Sequence, residues 1–232
     1  MGQNGTYDIV MWGASQVGKT TALAAYVCKY RPDWIDDDDQ SRNTKQDLLA
    51  VWNVLEANRL ALATARVAYY PLKHAKSDRI IRFRDMLGGH ARDLVREELD
   101  TLANADAVML FVAWPGERDV DQLIAAGNAL AMAPRRKVAL VVTKCETHLR
   151  PDELAGLTGS DTQRASRLRG LPYRFQELLA AVGEAWFPVS VFGYRDDAQP
   201  AHYRDEFGRI VPWGINPVNV NLPFDHIIMD VV

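Results

Sequence analysis

The chain has 232 residues, which fits one α/β domain with a substantial core, so no second domain is required. Its 48% hydrophobic and 25% charged residues and formal net charge of −3 describe an ordinary soluble globular protein, without the basic excess of a nucleic-acid-binding surface. Two cysteines, Cys28 and Cys145, stand apart without metal-ligand spacing and read as free thiols in a reduced compartment. The start, MGQNGTYD, lacks a basic segment followed by an apolar one, and no run of about eighteen apolar residues follows, so a cytoplasmic protein without stable membrane anchoring is expected. Gly2 and Thr6 meet the loose pattern for N-terminal myristoylation, but the pattern is short and a flexible start is the simpler reading.

In chain order, YDIVMW (7–12) reads as a first strand and GKTTALAAYVCKY (18–30) as the helix after it. The acidic stretch RPDWIDDDDQSRN reads as loop, and its four adjacent carboxylates, Asp36 to Asp39, lack the interleaved residues of a metal cage. Helical spacing then covers 44–62, where Thr44-Lys45-Gln46-Asp47 opens the helix as a capping arrangement. Two antiparallel strands follow, ARVAYYPL and RIIRFRD, joined by the turn-like KHAKSD, and then a helix near 91–103. AVMLFVAW (107–114) and KVALVVTK (137–144) are continuous apolar runs of the kind expected for strands buried on both faces, with a helix over 119–133 between them. A polar stretch from Arg150 to about Leu171 leads to a helix, FQELLAAVGEA, and a last strand, WFPVSVFG; 194–232 is rich in turn residues until LPFDHIIMDVV, which can close as a short helix. Strands alternating with helices predict a mostly parallel sheet covered on both faces.

The most specific signal is GASQVGKT, Gly13 to Thr20, which fits the Walker A pattern G-x-x-x-x-G-K-[ST] between a strand and a helix. Gly13 and Gly18 permit backbone angles that turn successive amides, those of Ala14, Ser15, Gln16 and Val17 among them, onto an anion, and the helix start adds partial positive charge. Lys19 is placed to reach the β- and γ-phosphates, Thr20 to ligate Mg²⁺, and Thr21 follows in the same first turn. Downstream, Asp85-Met86-Leu87-Gly88 leaves a strand, so the carboxylate can hold Mg²⁺ through water while the Gly88 amide meets a γ-phosphate. A second Asp-x-x-Gly, Asp205 to Gly208, is set aside because no apolar run delivers it. Thr143-Lys144-Cys145-Glu146 ends a buried strand: the Lys144 stem can lie along a purine face, and the Glu146 carboxylate can accept from guanine N1–H and N2–H₂, a donor pair that adenine lacks. Ser190 follows the last strand, where a serine loop would touch the base.

With these motifs in order over roughly 7–191, the chain resembles the Ras-like, translation-factor-related class of P-loop GTPases. The helical insertion before Thr64 and the ending NPVNVNLPFDHII look like the "double-GTPase" proteins of bacterial conflict and defence gene clusters. The resemblance implies a P-loop three-layer fold with a mostly parallel six-stranded sheet and one antiparallel strand. It implies a single GTPase-like domain over 1–232, with a core at 7–191 and a turn-rich segment at 192–232. GTP/GDP and Mg²⁺ would be the ligands, and a molecular switch the function, with a protein effector or activating partner. Thr64 is the best-placed switch threonine for Mg²⁺ and the γ-phosphate. Three positions depart from the family: Glu146 replaces aspartate, Ser190-Val191-Phe192 replaces Ser-Ala-Lys, and Gly89 stands where relatives carry the residue that orients the attacking water. His90, one residue later, can swing in, or an arginine can compensate; Arg42, Arg59, Arg66 and Arg92 flank the switch segments, and a partner can supply one in trans. Three readings stay open: a slow or partner-stimulated GTPase, a pseudo-GTPase that binds without cleaving, and an ATP-dependent P-loop enzyme. The abrupt apolar end, IIMDVV, allows burial against a partner or against the chain's own sheet, and dimerisation on nucleotide binding stays open.

Overall fold

A computed structural model describes residues 5–36, 44–59, 68–74, 79–86, 96–114, 121, 124, 137–158, 172–182 and 185–229. The main sheet is built from β1 (Thr6–Trp12), β2 (Trp34–Asp36), β3 (Ala68–His74), β4 (Ile80–Asp85), β5 (Ala107–Ala113), β6 (Lys137–Thr143) and β7 (Trp186–Pro188). Its seven strands run in the order β2-β3-β4-β1-β5-β6-β7. β1 pairs in parallel with β4 and β5, and β6 in parallel with β5 and β7, whereas β3 is antiparallel to both its neighbours. One strand, β3, therefore opposes the others, as expected.

The helices are α1 (Lys19–Ala25), α2 (Thr44–Glu56), α3 (Arg96–Asn104), α4 (Pro151–Leu157), α5 (Tyr173–Val182) and α6 (Asn221–Ile228). Strand alternation sends Ile9 and Met11 to one face of β1, against α1, α2 and α6, and Val10 and Trp12 to the other, against α3, α4 and α5. This three-layer α/β arrangement buries β5 and β6 almost completely, which is why both read as uninterrupted apolar runs. No helix among the described residues is long and apolar enough to cross a membrane.

Two expectations are corrected, and two features are added. The sheet has seven strands rather than six, because Trp34–Asp36, read as loop, pairs antiparallel with β3 and buries Trp34. Three residues at a sheet edge are too few to show alternation. α2 starts at Thr44, but Thr44 Oγ1 is buried with no hydrogen-bond partner among the described residues, and the Lys45 N–H donates instead to Asp36 Oδ1 at 2.6 Å. One member of the acidic run thus caps the helix. The polar stretch after Arg150 begins with α4, opened by Pro151 at its first turn and Glu153, which accepts the Arg150 N–H.

Finally, the buried core continues past residue 191. Val220, Phe224, Ile227 and Ile228 belong to the same cluster as β1 and α1, with the Phe224 ring stacked on Tyr26 at 4.5 Å. The Tyr26 hydroxyl donates to Asp225, and Arg31 pairs with the same carboxylate at 2.5 Å, tying α6 to the turn after α1. The residues before α6 also form an antiparallel hairpin, β8 (His202–Arg204) and β9 (Ile210–Pro212).

Candidate nucleotide site

β1 ends at Trp12 and the chain turns through Gly13 (φ 152°), Gln16 (φ 64°) and Gly18 (φ 96°) before α1 begins at Lys19. Positive φ at intervals bends the backbone into a concave run of amides, the form of an anion nest. Gly13 is required sterically as well, because a Cβ there would lie 2.3 Å from the Phe111 carbonyl oxygen of β5. Gly13→Ala is expected to lower the unfolding free energy by about 1–3 kcal/mol, measured by urea denaturation.

Lys19 is 7% exposed, and its ammonium donates to the carbonyls of Gly13 at 2.9 Å and Ala14 at 3.2 Å. Burial lowers its pKa, and Asp85, whose Oδ1 lies 3.7 Å from Nζ, opposes that shift. β4 delivers Asp85 beside the end of β1, in register with Met11, where it is fully buried and accepts the Thr20 hydroxyl. A lysine and a hydroxyl from the first turn of α1 therefore meet a carboxylate from the end of β4.

Thr143 closes β6, and its hydroxyl donates to Val17 O at 2.5 Å, binding the loop to the sheet. Lys144 follows in the left-handed region (φ 57°), which lets the chain turn into a short 3₁₀ segment, Cys145–Thr147. Glu146 in that turn is 2% exposed; its Oε2 is buried without a hydrogen-bond partner among the described residues. Burial raises the Glu146 pKa, against a hydrogen bond from Ser190 that lowers it. A buried acceptor with no donor is costly unless a ligand supplies one.

These groups border one cavity of about 530 Å³, lined by the run Ser15 to Thr21 on one side and by Thr143, Lys144 and Glu146 on another. The expected residues Gly13, Ala14, Asp85 and Ser190 do not line it. Gly13 and Ala14 hold Lys19, Asp85 holds Thr20, and Ser190, fully buried, supports Glu146 while accepting the Gly193 N–H at 2.7 Å. Ser190 lies behind Glu146, and its neighbours Val191 and Phe192 line the cavity. Thr64, Gly88 and His90, with Gly89, Arg42, Arg66, Arg92 and most of 119–133, lie outside the described residues. Arg59 is exposed and does not line the cavity.

Sequence reasoning missed Val51 and Leu55 of α2, and Arg204 and Arg209 of the hairpin, all of which do. The α2 residues sit at helical spacing and are indistinguishable from ordinary core positions in the sequence. For the arginines, the only local signal is the Asp-x-x-Gly at 205–208, which proves to be the hairpin turn: Asp205 accepts the N–H groups of Phe207 and Arg209, and Gly208 has φ 74°.

Among the described residues, no cluster of three or more His, Cys, Asp or Glu side chains could hold a metal ion alone. Thr20 and Asp85 do offer adjacent hard oxygen donors, the set that suits Mg²⁺ when phosphate oxygens and water complete its shell.

No family model matches the chain, and no curated protein does. Among solved structures it is similar to a bacterial selenocysteine-specific elongation factor, EF-Sec, at 15% identity and a TM-score of 0.41. The alignment covers 79% of this chain and 25% of that one, so the chain spans about a quarter of the length of the structure it matches.

Proposed function

We propose that the cavity binds a guanine nucleoside triphosphate with Mg²⁺ and that the protein acts as a GTP-dependent molecular switch with slow or partner-stimulated hydrolysis. The observation that carries the guanine assignment is Glu146: a buried carboxylate on the cavity wall with one oxygen unpartnered matches a ligand edge bearing two N–H donors. Adenine has no such pair, which disfavours the ATP-dependent reading. At the other end, the amides from Ser15 to Thr20 receive the phosphates, and Lys19 turns from its own loop carbonyls to the β- and γ-oxygens. Thr20 and Asp85 would hold the Mg²⁺, which neutralises charge developing on the phosphates.

Gly13 and Thr143 fix the loop from behind, so the amides are oriented before the ligand arrives. Lys144 lays its stem beside the base, with burial holding its pKa down and Glu146 opposing. Hydrolysis is slow in this reading because the residue after Gly88 is a glycine, which has no group to orient water. The same glycine favours a second reading, a binding module that retains GTP without cleaving it. A role in bacterial defence systems rests on the sequence pattern of the α2 insertion and the C-terminal segment.

The test is to incubate purified protein with Mg²⁺ and labelled GTP or ATP, following retention and phosphate release. Retention of GTP over ATP is expected, with release on the order of 10⁻⁴–10⁻² s⁻¹ without a partner. Retention with no release would select the binding module, and a preference for ATP would refute the guanine reading. Chelating the metal should weaken retention of GTP.

A further inference from the structure

The β8–β9 hairpin lies beyond the segment that carries the nucleotide motifs, yet it walls part of the cavity. Arg204, the last residue of β8, and Arg209, just before β9, line it with Gly208 and Ile210. The hairpin is anchored at both ends of this wall. The Ala201 N–H donates to Gly193 O at 2.9 Å, and the His202 and Phe192 rings meet at 5.9 Å, joining it to the segment after β7. The Gly214 N–H donates to Asn58 Oδ1 at 3.1 Å, joining it to the end of α2. Gly193 (φ 77°) makes the approach possible, since a Cβ there would lie 1.7 Å from Asn216 O.

Within the hairpin both guanidinium groups are held in place. Arg204 Nη1 donates to Gly208 O at 2.9 Å, and Arg209 pairs with Asp205 at 2.7 Å. These contacts use only some of the N–H donors that each guanidinium carries. Both side chains remain exposed, so a ligand pays little to reach them, and a pre-positioned planar fork suits bidentate contact with a phosphate. The charge of the cavity agrees: the charged side chains that line it are Lys19, Lys144, Arg204 and Arg209 against the single carboxylate of Glu146. Two of the four cations therefore come from the hairpin.

We propose that Arg204 and Arg209 form a second anion-binding edge of the cavity and contact phosphate oxygens of the bound nucleotide from outside the Gly13–Thr20 loop. This rests on the reading above that the ligand is a guanine nucleoside polyphosphate, but the phosphate contact itself does not depend on the base.

Titration calorimetry with GTP, ATP and inorganic tripolyphosphate on the full chain tests it. The variants are Arg204→Ala/Arg209→Ala and Arg204→Lys/Arg209→Lys, each checked by thermal unfolding without ligand. The alanine pair should bind both GTP and tripolyphosphate about tenfold or more weakly, with a shallower salt dependence, and the lysine pair should recover part of the loss. Unchanged affinity for both ligands in the alanine pair overturns the proposal. So does a loss confined to GTP, which would place the arginines on the base or ribose. Wild-type protein that binds GTP no better than ATP refutes the guanine reading alone, and the tripolyphosphate comparison still decides the role of the arginines.

Discussion

Lys19→Ala is expected to abolish retention of GTP while leaving the protein folded. The ammonium sits at the convergence of the loop amides, desolvated, with the carbonyls of Gly13 and Ala14 as its partners in the free protein. The carbonyls are neutral, so phosphate oxygens displace them with a gain in charge-assisted bonding, while Asp85 stays 3.7 Å away. Removing a charge at such a desolvated contact costs about 2–5 kcal/mol, a loss of roughly 30-fold or more in affinity. The free protein should change less, because Lys19 itself bears a burial cost that lowers its pKa, offset only partly by Asp85. Thermal unfolding separates the two effects. GTP at about 100 times the wild-type Kd should stabilise the wild type by ~2.7 kcal/mol, and the variant by less than about 1 kcal/mol at that concentration. An unfolded variant, or one stabilised by GTP as much as the wild type, contradicts the role given to Lys19.

Glu146→Gln should weaken GTP by more than about tenfold and bring its affinity close to that of ATP, measured by competition between the two nucleotides. Gln keeps the shape and can still accept from Ser190, but it places an amide where a carboxylate would meet the guanine donor pair. The free protein is expected to move the other way. Because burial raises the folded-state pKa of Glu146 above its unfolded value, the unfolded chain releases this proton first. The resulting penalty on the folded state grows as pH rises from the unfolded pKa through the raised one, and is complete above it. Glu146→Gln should therefore be at least as stable as wild type at neutral pH without nucleotide, and the difference should vanish below about pH 4. Conversely, the wild type should lose its preference for GTP over ATP as pH falls through the raised pKa, since a protonated carboxyl cannot accept from both guanine donors. A preference independent of pH and unchanged in Glu146→Gln counts against guanine reading at this position.

How much could be read in advance differs from one part of the molecule to another. The strands β5 and β6 were legible because their continuous apolar stretches must be buried on both faces, and the Gly13–Thr20 loop was legible because its glycines stand at fixed offsets between a strand and a helix. Local chemistry set those features, so local sequence contains them. That Thr20 and Asp85 would share a site was expected from motif order, but the register of Met11 with Asp85, which puts the carboxylate beside the loop and within reach of Lys19, is a property of the sheet. β2 escaped detection because its three residues form a strand only against β3.

Ser190 shows the same division at a single residue. Its position after the last strand was evident, but whether it faces the ligand or the back of Glu146 depends on how the following segment, locked by Gly193 against Asn216, returns to the sheet. The sequence alone determined the Gly13–Thr20 loop between strand and helix and the Thr143–Glu146 segment that closes a buried strand, because those features belong to residue types at short spacing. Only the tertiary structure decided that a hairpin from the C-terminal segment brings Arg204 and Arg209 to the same cavity, because the contact joins elements far apart in the chain and leaves no periodic trace in either.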